Sequence, residues 1–309
     1  MVDPDIEPTS SPKRITPTRR GVLVFVALMT GPLSGIAWSA SLDETLMEAT
    51  VKIRGHPHPT DTTWSIGTGF FVVQRAVDKK GDTCWITLLV TARHVLDSIG
   101  SDTAYVQMRR PLPGGGYRKS LESIVIRRSG VPVWTQHPNS AVDVAIWGGD
   151  LYDTEPPMCV PTFCFATDAE MKYWCIGPGV EARCLGYPLG AEGEEAGFPI
   201  LRGGLIASYP ILPSREHPVI QYDFEVYPGN SGGPVYFVKE VPKDSLNQIY
   251  ILPPVQRILG LVTVQYFSPP GSVPKTEIKL GGYVPAVFIQ ETIDKYLKEN
   301  GYRGIPGPW

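Results

Sequence analysis

Pro228-Gly229-Asn230-Ser231-Gly232-Gly233-Pro234 joins two β-rich runs, PVIQYDFEV (218–226) and GPVYFV (233–238). Three glycines around one serine let the backbone turn tightly and aim N–H groups at one point. A serine hydroxyl is a weak nucleophile at neutral pH and needs an adjacent base. Alone, the stretch fits a glycine-rich turn equally well, so a base must be sought elsewhere in the chain.

Val90-Thr91-Ala92-Arg93-His94-Val95-Leu96 ends an apolar strand in a histidine. The bland reading is a hydrogen-bonded core histidine; the chemical one is a general base. His56 and His58 alternate with prolines, and His137 and His217 each precede one, so these four read as solvated loop residues. Ala141-Val142-Asp143-Val144-Ala145-Ile146 sets a carboxylate in an apolar strand, which is costly unless something pairs with it. A histidine N–H is such a partner and would be held in one tautomer by it; an Asp capping a turn is the plainer alternative.

The chain order His94…Asp143…Ser231 resembles that of the chymotrypsin-like serine proteases. Within that family the motifs resemble those of bacterial high-temperature-requirement (Deg-type) peptidases. They are Gly67-Thr68-Gly69-Phe70, Thr91-Ala92-Arg93-His94-Val95, Asp143-Val144-Ala145 and residues 228–234. Leu185-Gly186-Tyr187-Pro188-Leu189-Gly190, Gly203-Gly204-Leu205-Ile206-Ala207-Ser208 and Gly282-Tyr283-Val284-Pro285 look like further segments of that group.

The resemblance implies an all-β fold of two six-stranded Greek-key barrels with a C-terminal helix. It implies Ser231 as nucleophile, His94 as base, Asp143 as its orienter, and an oxyanion hole at Gly229, Asn230 and Ser231. A polypeptide substrate and no cofactor or metal follow from the same likeness. The specificity pocket would take in Glu225 and Leu261-Val262-Thr263. Glu225 there would attract a basic substrate side chain; the alternative is that it faces solvent or pairs internally. The Leu261–Val264 strand lacks the histidine with which glutamyl endopeptidases hold acidic substrates. The chain departs from the Deg-type pattern in leaving no room for a PDZ domain, and residues 150–180 read as an insertion between barrels.

Local patterning agrees with a β-rich fold. GTGFFVVQ (67–74), CWITLLVTA (84–92), AYVQMRR (104–110), SIVIRR (123–128), DVAIWG (143–148), VEARCLGYP (180–188) and QRILGLVTVQYF (256–267) alternate with turn signals such as Pro113-Gly114-Gly115-Gly116 and Pro253-Pro254. Residues 286–299 form the one convincing helical pattern, with Ile289, Ile293, Tyr296 and Leu297 on one face and Gly301 just beyond. The expected organisation is a first barrel at about 50–150, a second at about 180–285, and a loose tail at 300–309. Whether residues 41–64 form a propeptide, a strand or both stays open.

With 309 residues, 42% hydrophobic and 19% charged, the chain is no disordered polymer; a net charge of −3 argues against nucleic acid as a partner. Residues 1–40 read as an export signal: Arg19-Arg20, an apolar run at 21–37, then Ala37-Trp38-Ser39 as cleavage frame. The competing reading makes 21–37 a membrane tether, and either leaves residues 41–299 outside the cytoplasm, periplasmic or secreted. A twin-arginine route matches only weakly. An exported chain may oxidise its thiols, so one or two disulfides are expected among Cys159, Cys164, Cys175 and Cys184, with Cys84 a buried free thiol. Two further readings compete with an active enzyme: a catalytically silent protease fold acting as a protein-binding module, and a non-enzymatic β-rich surface protein.

Overall fold

The computed structural model describes residues 41–307 except 59, 150, 152–156, 194–195, 240–254 and 268–276. The expected export segment at 1–40, the turn at Pro253-Pro254 and the end of the tail at 308–309 lie outside the described residues.

Ser41 and Glu44 open the first helix with a reciprocal cap: the Glu44 N–H donates to Ser41 Oγ at 3.2 Å and the Ser41 N–H to Glu44 Oε2 at 3.1 Å. That helix, α1 (Leu42–Ala49), buries Leu46 and Ala49 and runs straight into β1 (Thr50–Gly55). β2 (Ser65–Val77) and β3 (Thr83–Thr91) form a long antiparallel pair; α2 (Arg93–Asp97) follows at once. β4 (Thr103–Pro111) and β5 (Tyr117–Val125) make a hairpin over the Pro113–Gly116 turn, where three glycines adopt positive φ. Short strands follow: β6 (Arg127–Arg128), β7 (Val131–Pro132), β8 (Thr135–Gln136), β9 (Ala145–Trp147) and β10 (Val160–Pro161). The resulting sheet runs β5-β4-β1-β2-β3-β9-β8.

After α3 (Asp168–Tyr173), six strands close a barrel: β11 (Glu181–Gly186), β12 (Ile200–Ile206), β13 (Ile220–Asp223), β14 (Pro234–Lys239), β15 (Val255–Phe267) and β16 (Glu277–Pro285). Its order is β11-β12-β13-β16-β15-β14, with β14 pairing back to β11. Ile220, Tyr222, Val235, Phe237, Leu259 and Tyr283 fill its interior. Strand pairing therefore closes one barrel of the expected two. Among the described residues the first sheet is not closed by a ladder; the Trp147 indole N–H of β9 donates to the Val125 carbonyl of β5 at 2.8 Å.

The expected insertion at 150–180 is an integral linker in its described parts. β10 pairs with β2, Cys164 and Phe165 join the first core, and Ala166, Met171 and Ile176 join the barrel core. No disulfide forms among the described residues; all five cysteines are free thiols. Cys164 and Cys184 lie in separate cores, Cys175 is exposed, and Cys84 is only half-buried. Burial pushes the Cys164 thiol up to about 11 and those of Cys159 and Cys184 to about 12, so all three stay protonated and unreactive.

Helix α4 (Ala286–Glu299) occupies the stretch its periodicity marks and sets Phe288, Ile289, Ile293 and Leu297 into the first core. It ends where Gly301 takes φ +77°. There the Gly301 N–H donates to Lys298 O and the Tyr302 N–H to Leu297 O, satisfying carbonyls the helix leaves over. The tail expected to be loose is pinned as far as residue 305. β17 (Arg303–Gly304) pairs with Val77 and Ala76 at the far end of β2, on the edge that β1 and β10 leave unpaired there. His137 also departs from its expected solvated place. It is buried against the edge of the Phe288 ring, with Nε2 3.1 Å from Glu291 Oε2 on α4. His56 and His217 are half-buried, leaving only His58 exposed among the four.

Candidate active site

His94 sits one residue into α2 rather than at the strand end itself. Val95 and Leu96 anchor that helix in the core and leave the His94 ring 46% exposed on the open side. Asp143 lies just before β9, whose Ala145 pairs with Thr91. That register carries the carboxylate to the first turn of α2. The His94 backbone N–H donates to Asp143 Oδ1 at 3.0 Å, and His94 Nδ1 stands 2.6 Å from Oδ2. From β15 the Thr263 hydroxyl donates to the same Oδ2 at 2.5 Å.

Burial pushes the Asp143 carboxyl up, but the His94 ring, the Thr263 hydroxyl and the His94 N–H together outweigh it and hold it below the usual carboxylate range. The ionised carboxylate can only accept, so His94 Nδ1 carries the proton and Nε2 presents a lone pair to the open side. A depressed native pKa stabilises the fold above the ordinary carboxylate value and loses that contribution as pH falls through the native value. The acid-unfolding curve of Asp143→Asn should therefore be flatter than that of the parent below about pH 4. Parallel curves from circular dichroism would remove the link.

Ser231 is half-exposed in a turn held on every side. The Asn230 N–H donates to Tyr227 O, the Gly233 N–H to Asn230 O, and the Gly232 N–H to Val262 O at 2.7 Å. Thr68 clasps the turn twice: its N–H donates to Ser231 O at 2.8 Å and its hydroxyl to Gly229 O at 2.6 Å. Gly232 has φ +87°, and a Cβ there would stand 2.1 Å from Thr68 O and 2.3 Å from Thr91 Oγ1. Only glycine allows the turn to press this closely against the strand that leads to His94. Among the described residues the N–H groups of Gly229 and Ser231 have no hydrogen-bond partner, whereas that of Asn230 is used in the turn.

The first sheet thus supplies His94 and Asp143, the barrel supplies Ser231 and Thr263, and the Thr68 clasp on Gly229 and Ser231 joins the two. No hydrogen bond joins Ser231 Oγ to His94 among the described residues; catalytic hydrogen bonds are often longer before substrate arrives. Leu261 and Val262 are buried, and Thr263 gives its hydroxyl to Asp143. Glu225 is half-buried between buried Phe224 and Val226. Arg202 on β12, which sequence reasoning missed, lies over the rings of Phe224 and Tyr227 at 5.7 and 5.0 Å and brings positive charge to the segment leading to Ser231. Thr263 as a partner of Asp143 was also missed; a hydroxyl inside the apolar run Leu261-Val262-Thr263-Val264 was the available signal. Among the described residues no group of three or more His, Cys, Asp or Glu side chains could hold a metal ion, and no helix is long and apolar enough to cross a membrane.

No protein-family model matches the chain, and no curated protein matches it in sequence. Solved structures similar to it include the Rv3671c protease of M. tuberculosis in its active form, at 20% identity, 92% coverage of each chain and a TM-score of 0.42. Another is the protease Anisep of Arthrobacter nicotinovorans, at 12% identity, covering 80% of this chain and 94% of that one, with a TM-score of 0.45. Likeness at this level carries no argument about chemistry.

Proposed function

We propose that the chain is an exported chymotrypsin-like serine endopeptidase, akin to the Deg-type group, that hydrolyses peptide bonds through an acyl-enzyme. The observation that carries the reading is the 2.6 Å pairing of His94 Nδ1 with Asp143, which leaves Nε2 basic on the side open to solvent.

Ser231 Oγ attacks a peptide carbonyl carbon as His94 Nε2 takes its proton, and the resulting imidazolium is held by Asp143. The N–H groups of Gly229 and Ser231 receive the oxyanion, a contribution on the order of 10²–10³ in rate per donor. The tetrahedral adduct collapses, the C–N bond breaks, and His94 returns the proton to the leaving amine. Water then attacks the Ser231 ester with His94 again as base, releasing the acid and restoring the hydroxyl. Thr263 acts through Asp143 as a positioning residue.

The protein should be labelled by a fluorophosphonate probe on Ser231, read by peptide mass spectrometry, and Ser231→Ala should not. Labelling that is absent, or falls on another residue, favours the silent binding module, a reading that draws on the missing Ser231–His94 hydrogen bond. The export component rests on residues 1–40 alone, and an N-terminus still at residue 1 in protein recovered outside the cytoplasm would overturn cleavage near residue 39.

A further inference from the structure

The segment Leu185–Gly190 lies against the Ser231 turn, with Tyr187 O and Leu189 N beside Gly229. Pro188–Gly190 is a single tight turn in which Leu189 takes φ +53°, an uncommon conformation for a branched side chain. The turn presents the Leu189 N–H to the Pro228 carbonyl at 2.7 Å. Pro228 C=O and Gly229 N–H belong to one trans peptide unit, so they point in opposite directions. Holding the carbonyl toward Leu189 turns the Gly229 N–H away from that loop and leaves it free. If this peptide rotated, a carbonyl oxygen would face the place where the oxyanion forms.

The Leu189 turn is held in turn by the first sheet. Lys52 of β1 donates to Gly190 O at 3.0 Å and to Glu192. Gln107, the register partner of Lys52 on β4, donates to Glu192 Oε2 at 2.8 Å, and Lys119 of β5 donates to Oε1 at 3.0 Å. Lys52 and Gln107 are both more than nine-tenths buried. A buried ion pair costs desolvation that its attraction does little more than offset, so it is weak as a source of stability and well suited to fixing one arrangement.

We propose that Glu192, clamped by Lys52, Gln107 and Lys119, is a positioning residue that keeps the Leu189 N–H on the Pro228 carbonyl and so keeps the Gly229 N–H presented as an oxyanion donor. The inference rests on the protease reading and deepens it: the first sheet sets the electrophilic half of the site, beyond supplying the base.

The test is steady-state kinetics on a peptide substrate, with inhibition by a peptide boronate and by a product peptide, for the parent, Glu192→Gln, Lys52→Met and Lys119→Gln. In Glu192→Gln and Lys52→Met, kcat should fall roughly 10- to 100-fold, short of the loss of a whole donor. KM and product-peptide affinity should stay within about threefold, while boronate affinity falls in step with kcat, as expected for an interaction made in the transition state. Lys119→Gln, at the rim of the cluster, should show the same split at smaller size and carries the test if Lys52→Met does not fold. Unchanged kcat with a lowered melting temperature would make the cluster merely structural and overturn the proposal, as would a raised KM at constant kcat. A parent protein that hydrolyses no peptide at all tells against the protease reading itself, whereas an active parent with an indifferent Glu192→Gln tells only against the clamp.

Discussion

Ser231→Ala is expected to lower kcat on a peptide substrate by on the order of 10⁶ while leaving the fold intact. The substitution removes only a half-exposed hydroxyl that makes no hydrogen bond among the described residues. The turn itself is built from backbone bonds of Asn230, Gly232 and Gly233 and from the Thr68 clasp on Ser231 O, none of which needs the side chain. The melting temperature should therefore barely move, and substrate should still bind. The same loss must appear in His94→Ala, and the double variant should be no worse than either, since nucleophile and base work as a unit. Additive losses, or a Ser231→Ala protein above about 1% of parental activity, would mean that hydrolysis runs through other residues.

The second large effect is Asp143→Asn, expected at about 10⁴ in kcat by analogy with triads in which the orienting carboxylate is replaced by its amide. Oδ1 would still accept the His94 N–H, so the loop keeps its anchor. The position of Oδ2, however, takes donors from both the His94 ring and the Thr263 hydroxyl. An amide NH2 there has nothing to accept with; the ring must turn its lone pair inward and its N–H outward, which is the wrong tautomer for a base. Thr263→Val removes only one of the two donors and should cost far less. Hydrolysis by Asp143→Asn within tenfold of the parent would show that His94 does not depend on this carboxylate. The measurement is kcat across a pH series, so that tautomer loss and a shifted titration are told apart.

Much of the site was legible because its signals are local. Apolar strands flank glycines whose positive φ is needed in the turn, and a carboxylate sits in an apolar run where it must have a partner. The spacing of Ile289, Ile293 and Leu297 likewise marks α4 without help from the rest of the fold. What sequence reading missed depends on contacts distant in the chain. Nothing near Lys52 announces Glu192, 140 residues on. His137 looks solvated beside a proline until α4 brings Glu291 and Phe288 over it. The cysteine count suggests disulfides, but pairing needs close, well-directed thiols, which a count does not reveal; all five are free, with Cys164 and Cys184 in separate cores and Cys175 exposed. The first sheet, expected as a closed barrel, is left open by its strand pairing among the described residues, and no alternation pattern in the sequence distinguishes an open sheet from a closed one. α1 was readable from Ser41-Leu42-Asp43-Glu44, a capping box, but eight residues give too little periodicity to stand out.

The placement of α4 and β17 bears on how the molecule comes into being. Both follow the barrel in the chain, yet Phe288, Ile289, Ile293 and Leu297 complete the first core, and Arg303–Gly304 covers the edge of β2 opposite β3 at its end. A ribosome that has made the N-terminal half has therefore made a body with an open flank. Assembly cannot finish vectorially, half by half; it must wait for the last turns of helix to come back across the molecule.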